Sequence, residues 1–313
     1  MPEPGDIPVM GHPAEAPQAP QNAVTTPWSR LRSDFAESKL AMLGLGLLVV
    51  ILLIGVLAPV ISPQNPYDLA QLDVMDSKLA PGEASSGGRT YWLGTDDQGR
   101  DMLSGIFYGL RISLGVGVAS TVFALAIGLV LGLVAAYFGG WIDTLVMRIV
   151  DIQLSFPAIL IALVLLAVLG QGVDKIVIAL VTVQWAYYAR TVRSSALVER
   201  QKEYIEAARV LALGQARIVF RHLLPNCLPP LIVVATVQVA HAIALEATLS
   251  FLGLGLPITE PSLGLLISNG FQYLLSGKYW ISFYPGVALL LTIMAINLVA
   301  DQLRDILNPR LRK

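Results

Sequence analysis

The sequence is short of charge and of cysteine. Only 14% of its 313 residues are charged, against about 25% in an average soluble domain. Its 21 basic and 22 acidic side chains nearly cancel, so no basic field attracts nucleic acid, and we expect no nucleic-acid partner. The single cysteine, Cys227, excludes an internal disulfide and a cysteine-based metal cluster.

Sequence motifs for common catalytic chemistry are also missing. The chain contains no G-x-x-x-x-G-K-[ST] phosphate loop, no H-E-x-x-H and no G-x-S-x-G, which are the signatures of nucleotide hydrolysis, zinc proteolysis and esterase chemistry. The histidines, His12, His222 and His241, are far apart in the sequence. We therefore expect no catalytic residue, cofactor site or metal site in this chain.

Hydrophobic residues, in contrast, make up 55% of the chain. A helix needs about 20 consecutive apolar residues to cross a bilayer, and six runs approach or exceed that length, the fourth being the least apolar. This pattern predicts an all-α membrane protein with six transmembrane helices in the lipid bilayer. The runs are Leu40–Ile61, Ile112–Tyr137, Leu145–Leu169, Ile176–Ala196, Leu228–Leu252 and Tyr284–Val299.

The distribution of basic residues predicts the orientation of these helices. Of the 21 Lys and Arg residues, 15 lie on the same side as the N-terminus when six spans are assumed, and cytoplasmic segments carry the excess of basic residues. Both termini are therefore expected in the cytoplasm. The chain divides into a proline-rich disordered tail (1–28), an N-terminal segment with the first span (29–61), an outer loop (62–111) and a five-helix core (112–313).

The segment 201–226 is the longest amphipathic, cation-rich stretch, and it lies between the fourth and fifth spans. Residues 201–212 are expected to form a helix with Tyr204, Ala208 and Leu211 on one face. Gly214 is expected to turn the chain through a positive φ. Residues 217–224 are then expected to form a short second helix that the prolines from position 225 onward stop.

Two environments fit this segment on its cytoplasmic surface. It could rest on anionic lipid headgroups through Arg209, Arg217 and Arg221. Glu203 and Glu206 would be repelled by such a surface, and an alanine-rich face anchors poorly in lipid. A groove on a partner protein therefore accounts better for the composition.

A motif of acids and glycines follows the first span in the outer loop. Its spacing does not match the calcium loop D-x-[DN]-x-[DN]-G. We expect instead that Thr95 or Asp96 caps a short helix running toward Arg111, and that the acids pair with Arg100. The residues of this outer motif are Gly94, Thr95, Asp96, Gly99, Arg100 and Asp101.

Four ionisable residues within or near the spans are candidates for function, because a charge in lipid is costly unless it is paired or faces water. Arg148 and Asp151 are three positions apart and are expected to neutralise each other. Glu246 has no partner at helical spacing, so a place in a translocation pathway and an interhelical contact are equally good interpretations. His241 is a further candidate for the pathway or for interhelical contact.

Several motifs together resemble one family. Glu206-Ala207-Ala208, then Arg217-Ile218 and Arg221-His222-Leu223-Leu224-Pro225-Asn226, resemble the E-A-A loop of permease subunits of bacterial ABC importers, in their dipeptide, oligopeptide and nickel class. The outer motif, the stretch from Glu246 to Gly255, and residues 297–309 are similar to the same class, specifically to its C-type second permease. The resemblance covers residue 29 to the end.

The resemblance implies the type I ABC importer fold and a coupling role for the E-A-A loop. Coupling helices of this family dock in a cleft of a cytoplasmic ATPase, so ATP and Mg²⁺ are expected in partner subunits. The other implied partners are a homologous second permease, two ATPase subunits, a periplasmic substrate-binding protein and a small peptide-like substrate. The implied coupling residues are Tyr204, Glu206, Ala207, Ala208, Arg209, Gly214, Arg217, Arg221, His222, Pro225 and Asn226.

One departure from the family pattern affects the coupling loop. The family usually has glycine six residues after the motif glutamate, where this chain has Ala212, and the nearest glycine is Gly214. The turn is therefore expected two residues later. Two other functions remain as alternatives: a stand-alone secondary transporter or channel, driven by an ion gradient, and a membrane scaffold that binds a partner without transport.

Overall fold

A computed structural model describes residues 27–85 and 87–307. Within these residues the chain is helical, with two isolated β-bridges in the outer loop and no longer strand. The predicted disordered tail lies outside the described residues, apart from positions 27 and 28. The helices are α1 (Pro27–Glu37), α2 (Lys39–Ile61), α3 (Met102–Phe138), α4 (Gly140–Ser155), α5 (Ala158–Leu169), α6 (Val173–Arg200), α7 (Glu203–Val210), α8 (Gln215–Arg217), α9 (Leu224–Phe251), α10 (Leu263–Phe271) and α11 (Trp280–Leu307).

Four helical stretches of the described chain are long and apolar enough to cross a membrane. They correspond to the first, second, fifth and sixth predicted spans, namely Lys39–Ile61, Met102–Phe138, Gln215–Phe251 and Trp280–Leu307. The all-α membrane prediction is confirmed. The predicted fourth span is α6, which is 28 residues long but less apolar, so its crossing stays a prediction.

The predicted third span is broken rather than straight. Helices α4 and α5 meet at an angle of 91° and together count as a fifth span at most. The break falls at Phe156, whose backbone is extended (φ −94°, ψ 143°) and which precedes Pro157. A proline ring clashes with a helical conformation in the preceding residue, so this residue pair explains the bend.

Small residues allow α3 and α6 to pack closely. Ala124, Gly128, Gly132 and Ala136 are buried along one face of α3. A Cβ atom on Gly128 would lie 2.5 Å from the carbonyl oxygen of Trp185 on α6. A run of small residues at every fourth position lets helix backbones approach in this way.

The outer loop is shorter than predicted and forms a folded cap, which we define as residues 62–101. Helix α3 begins at Met102, so the last ten residues of the predicted loop are helical. The residue that caps the N-terminus of helix α3 is Asp101, not Thr95 or Asp96. Its carboxylate accepts a hydrogen bond of 2.8 Å from the Ser104 N–H. Thr95 and Asp96 do not cap α3 because their side chains form hydrogen bonds within the folded loop instead.

The chain turns after α7 at Ala212, which has a φ of 51°, whereas Gly214 has a φ of −57°. The expectation of a turn through positive φ at Gly214 was therefore wrong, and the turn occurs at the usual position of the family's glycine. The prolines do not stop the next helix either. A π-helical segment (Ile218–Leu223) joins α8 to α9, and such a wider turn accommodates Pro225, which has no N–H to donate.

Candidate functional site

Helix α7 is attached to the bundle through one narrow apolar face. Ile205 and Ala208 are buried against Ile218, at the start of the π-helical segment, and Leu213 packs beside them. The expected apolar face was different, since Leu211 is 72% exposed and Tyr204 is 37% exposed. Tertiary contacts with Ile218 select the face of α7 that is buried, and the local sequence alone does not indicate it.

The opposite face of α7 is exposed and mixes charge with apolar surface. Glu206, Ala207 and Arg209 are all exposed, and Val210 is 86% exposed. Of the three E-A-A residues, only Ala208 faces inward, where it supports the helix. The remaining coupling candidates Gly214, Arg217, Arg221, Pro225 and Asn226 are exposed, while His222 is half-buried.

Polar contacts connect α7 to the end of α6. The Tyr204 hydroxyl donates to Oε2 of Glu199 at 2.7 Å, and Nζ of Lys202 donates to Oε1 of the same carboxylate at 2.6 Å. Partial burial and the bond to Glu199 raise the pKa of Tyr204 to about 12. Asn226 donates its side-chain amide to the His222 carbonyl oxygen at 2.7 Å. The two bonds to Glu199 therefore join the start of α7 to the end of α6.

Glu246 lies at an interhelical contact. Its side chain is fully buried, and it accepts hydrogen bonds of 2.8 Å from the hydroxyls of Ser113 on α3 and Ser250 on α9. The expectation that it lacks a partner at helical spacing was wrong, because Ser250 is four residues further along the same helix. The geometry favours an interhelical contact over a pathway position.

The predicted ion pair between Arg148 and Asp151 does not form. Asp151 pairs instead with Arg190 on α6, while Arg148 is exposed. The physical reason is that α4 packs beside α6, whose cations reach α4 directly. A second pair of the same kind joins Asp143 to Nη2 of Arg193 at 2.7 Å.

The outer motif holds the cap together. Asp96 and Arg100 form a buried ion pair of 2.6 Å, as expected, and Nη1 of Arg100 also donates to the Ile258 carbonyl oxygen at 3.2 Å. The Thr95 hydroxyl donates to the Asp76 carbonyl oxygen at 2.6 Å. Gly94 and Gly99 both have a φ of 77°. These residues form the internal framework of the cap.

His241 lines a cavity of about 470 Å³ between α6 and α9. Its Nδ1 lies 2.9 Å from Oε1 of Gln238, and the side chain is exposed on one side. Tyr187 lines the same cavity, as do Gln184 and Gln238, and these two glutamines were not singled out from the sequence. They could have been recognised from the sequence, because they are polar residues within predicted spans.

These features define a multi-pass helical membrane protein. The chain belongs to the family of binding-protein-dependent transport system inner membrane components, whose model matches residues 128–313. A second model, the N-terminal TM domain of oligopeptide transport permease C, matches residues 26–81. The predicted resemblance is therefore confirmed, and the chain is a transmembrane permease subunit of the ABC importer class.

Individual relatives agree with this family. The dipeptide transport system permease protein DppC of Alkalihalophilus pseudofirmus is 36% identical, over 96% of this chain and 95% of the relative. The di/tripeptide transport system permease protein DppC of Pseudomonas aeruginosa is also 36% identical, over 94% and 95%. An inward-facing structure of the MetNI methionine ABC transporter matches with a TM-score of 0.54 and 24% identity, over 66% of this chain and 97% of the matched chain. That likeness shows the fold.

Proposed function

We propose that this permease imports dipeptides, oligopeptides or similar small solutes across a bacterial inner membrane, with both termini in the cytoplasm. A homologous second permease would complete the pathway, a periplasmic binding protein would deliver the substrate, and two ATPase subunits would bind ATP and Mg²⁺. The names of the relatives support the substrate class. The distribution of basic residues supports the orientation.

The exposed face of α7 carries the coupling part of this proposal. Glu206 and Arg209 are exposed there beside Ala207, and this small side chain lets another protein surface approach closely. The buried contacts of Ile205 and Ala208 with Ile218 hold the helix in a fixed orientation. A rigid helix presented in this way suits a groove on an ATPase, so that movement of the ATPases would switch the pathway between its two open sides.

Reversing the charge of Glu206 tests the coupling role. The Glu206→Lys complex should reach the membrane in normal amounts and lose most of its uptake and of its substrate-stimulated ATPase activity. Truncating one partner of a desolvated interfacial charge pair costs about 2–5 kcal/mol, which corresponds to a loss of affinity of about 30-fold or more. Uptake of a radiolabelled dipeptide into proteoliposomes measures the effect.

Glu37→Lys is the matched control, since Glu37 is also exposed but lies on α1. This variant should retain uptake and stimulated ATPase activity. If Glu206→Lys keeps both activities, the docking role of α7 is wrong. Uptake that follows an ion gradient and needs no ATPase subunit would instead support the stand-alone transporter.

A further inference from the structure

The cavity between α6 and α9 is bounded by three helices. Its walls come from the start of α5, the middle of α6 and the second half of α9, and its volume of about 470 Å³ is within the usual range of about 300–1,000 Å³ for small-molecule sites. Tyr187 is 43% exposed and His241 is exposed, so the cavity opens to one side. The cavity therefore opens at the surface of this chain.

Five polar side chains line this cavity. They are Gln184, Tyr187, Gln238, His241 and Thr248. Polar groups at membrane depth are unfavourable against lipid, and they normally face the interior of a bundle or a water-filled space. This face of α6 and α9 therefore combines an apolar wall with a few polar groups, as small-molecule sites usually do.

Gln184 gives the cavity an unsatisfied hydrogen-bond acceptor. Its side chain is only 3% exposed, and its Oε1 atom is buried with no hydrogen-bond partner within the described residues. Gln238, 6% exposed, directs its own Oε1 toward His241. A buried carbonyl oxygen without a donor is unfavourable, so an occupant that supplies an N–H group would be stabilised here.

The polar face continues from the cavity toward the coupling helix. A second cavity, of about 620 Å³, is lined by Thr191, Ser195 and Glu199 of α6, and Glu199 is the residue that binds Tyr204 of α7. Residues spaced by three or four positions lie on one side of a helix. The residues on this side of α6 are Gln184, Tyr187, Thr191, Ser195 and Glu199, and those on α9 are Pro230, Val234, Gln238, His241, Leu245 and Thr248.

We propose that this groove is the portion of the translocation pathway contributed by this chain, and that Gln184 and Gln238 bind peptide backbone amides in its central cavity. The inference rests on the proposed function and adds its substrate contact. A glutamine amide offers both a donor and an acceptor, which matches a peptide group. Among the described residues, those that line this cavity include no Asp, Glu, Lys or Arg, so the site would bind the peptide backbone and not a charged side chain.

Gln184→Glu tests the site through charge selectivity, because it introduces a carboxyl group with almost no change in shape. Competition among alanylalanine, alanyllysine and alanylglutamate for uptake is the measurement, in proteoliposomes with the complete transporter. The measurement is repeated up to about pH 9, because burial raises the pKa of a carboxyl group. The ratio of lysine to glutamate dipeptide uptake should rise by about tenfold or more. Gln272→Glu, at an exposed position after α10, is the control and should leave the ratio unchanged. Normal uptake with an unchanged ratio in Gln184→Glu would overturn the proposal.

A second variant tests the same groove without adding charge to it. Tyr187→Cys in a Cys227→Ser background should react with a water-soluble maleimide, and saturating alanylalanine should slow that reaction. Gln272→Cys, at an exposed position after α10, should react at the same rate with and without the peptide. A Tyr187→Cys protein that reacts in neither the nucleotide-free nor the ATP-bound complex would overturn the proposal.

Different results would contradict the proposed function and the proposed pathway site. If the wild-type complex takes up no peptide, or if uptake survives Glu206→Lys, then the proposed function or its coupling helix is wrong. If wild-type uptake is normal while the charge ratio and the cysteine protection are both unaffected, only the pathway site is wrong.

Discussion

The buried ion pair of the outer cap allows a quantitative prediction. Asp96 is fully buried, and Arg100 is 4% exposed. The aspartate accepts from Nε of Arg100 at 2.6 Å and from the backbone N–H groups of Gln98 and Arg100, each at 2.9 Å. Asp96→Ala removes these acceptors and leaves a buried guanidinium unpaired. Breaking a buried pair in this way costs about 3–5 kcal/mol.

Hydrogen exchange measured by mass spectrometry reports this loss locally. Opening of the cap should become about 100-fold or more frequent, since each 1.4 kcal/mol corresponds to a factor of ten. Protection of the peptide that contains Leu79 and Thr95 should fall accordingly, because the Leu79 N–H donates to Oγ1 of Thr95. The transmembrane helices should keep their protection.

Asp97→Ala is the matched control for this experiment. Asp97 is the next residue, it is half-buried, and its Oδ1 atom has no hydrogen-bond partner within the described residues. Its removal should therefore not accelerate exchange. Equal exchange in the Asp96→Ala and wild-type proteins, or equal acceleration by both variants, would refute the reasoning.

Two further predictions concern helix packing and pH. Gly128→Ala should destabilise the purified protein by about 1–3 kcal/mol, as overpacking does, and its melting temperature should fall. The reason is that the new Cβ would lie 2.5 Å from both the Trp185 carbonyl oxygen and the Tyr188 Cβ. Gly115→Ala, whose Cβ would meet no neighbouring atom within 4 Å, is the control and should not lower the melting temperature. Burial and the neighbouring Asp96 raise the pKa of Asp97, so protonation of Asp97 favours the folded cap. Protection of the cap against hydrogen exchange, corrected for intrinsic rates, should therefore increase as the pH falls through that pKa. Asp97→Asn should remove this increase.

Much of the architecture is predictable from the chain alone. Long apolar runs must form helices in a bilayer, because only a helix satisfies its own backbone there, and four such stretches recur in the structure. The small residues from Ala124 to Ala136 recur at every fourth position of the sequence, and α3 and α6 pack closely along them. The motifs from Glu206 to Asn226 and around Asp96 indicated the family that the comparisons confirm.

Tertiary structure decided the roles of individual side chains. Local spacing paired Arg148 with Asp151, whereas the neighbouring helix supplies Arg190. Glu246 accepts a hydrogen bond from Ser113, a residue of α3 more than 130 positions earlier in the chain. Ala212 has the positive φ that Gly214 was expected to have. Periodicity gives the faces of a helix but not its rotation in the bundle. The partners that a charge or an amide meets, including Gln184 in its cavity, therefore follow only from packing between helices.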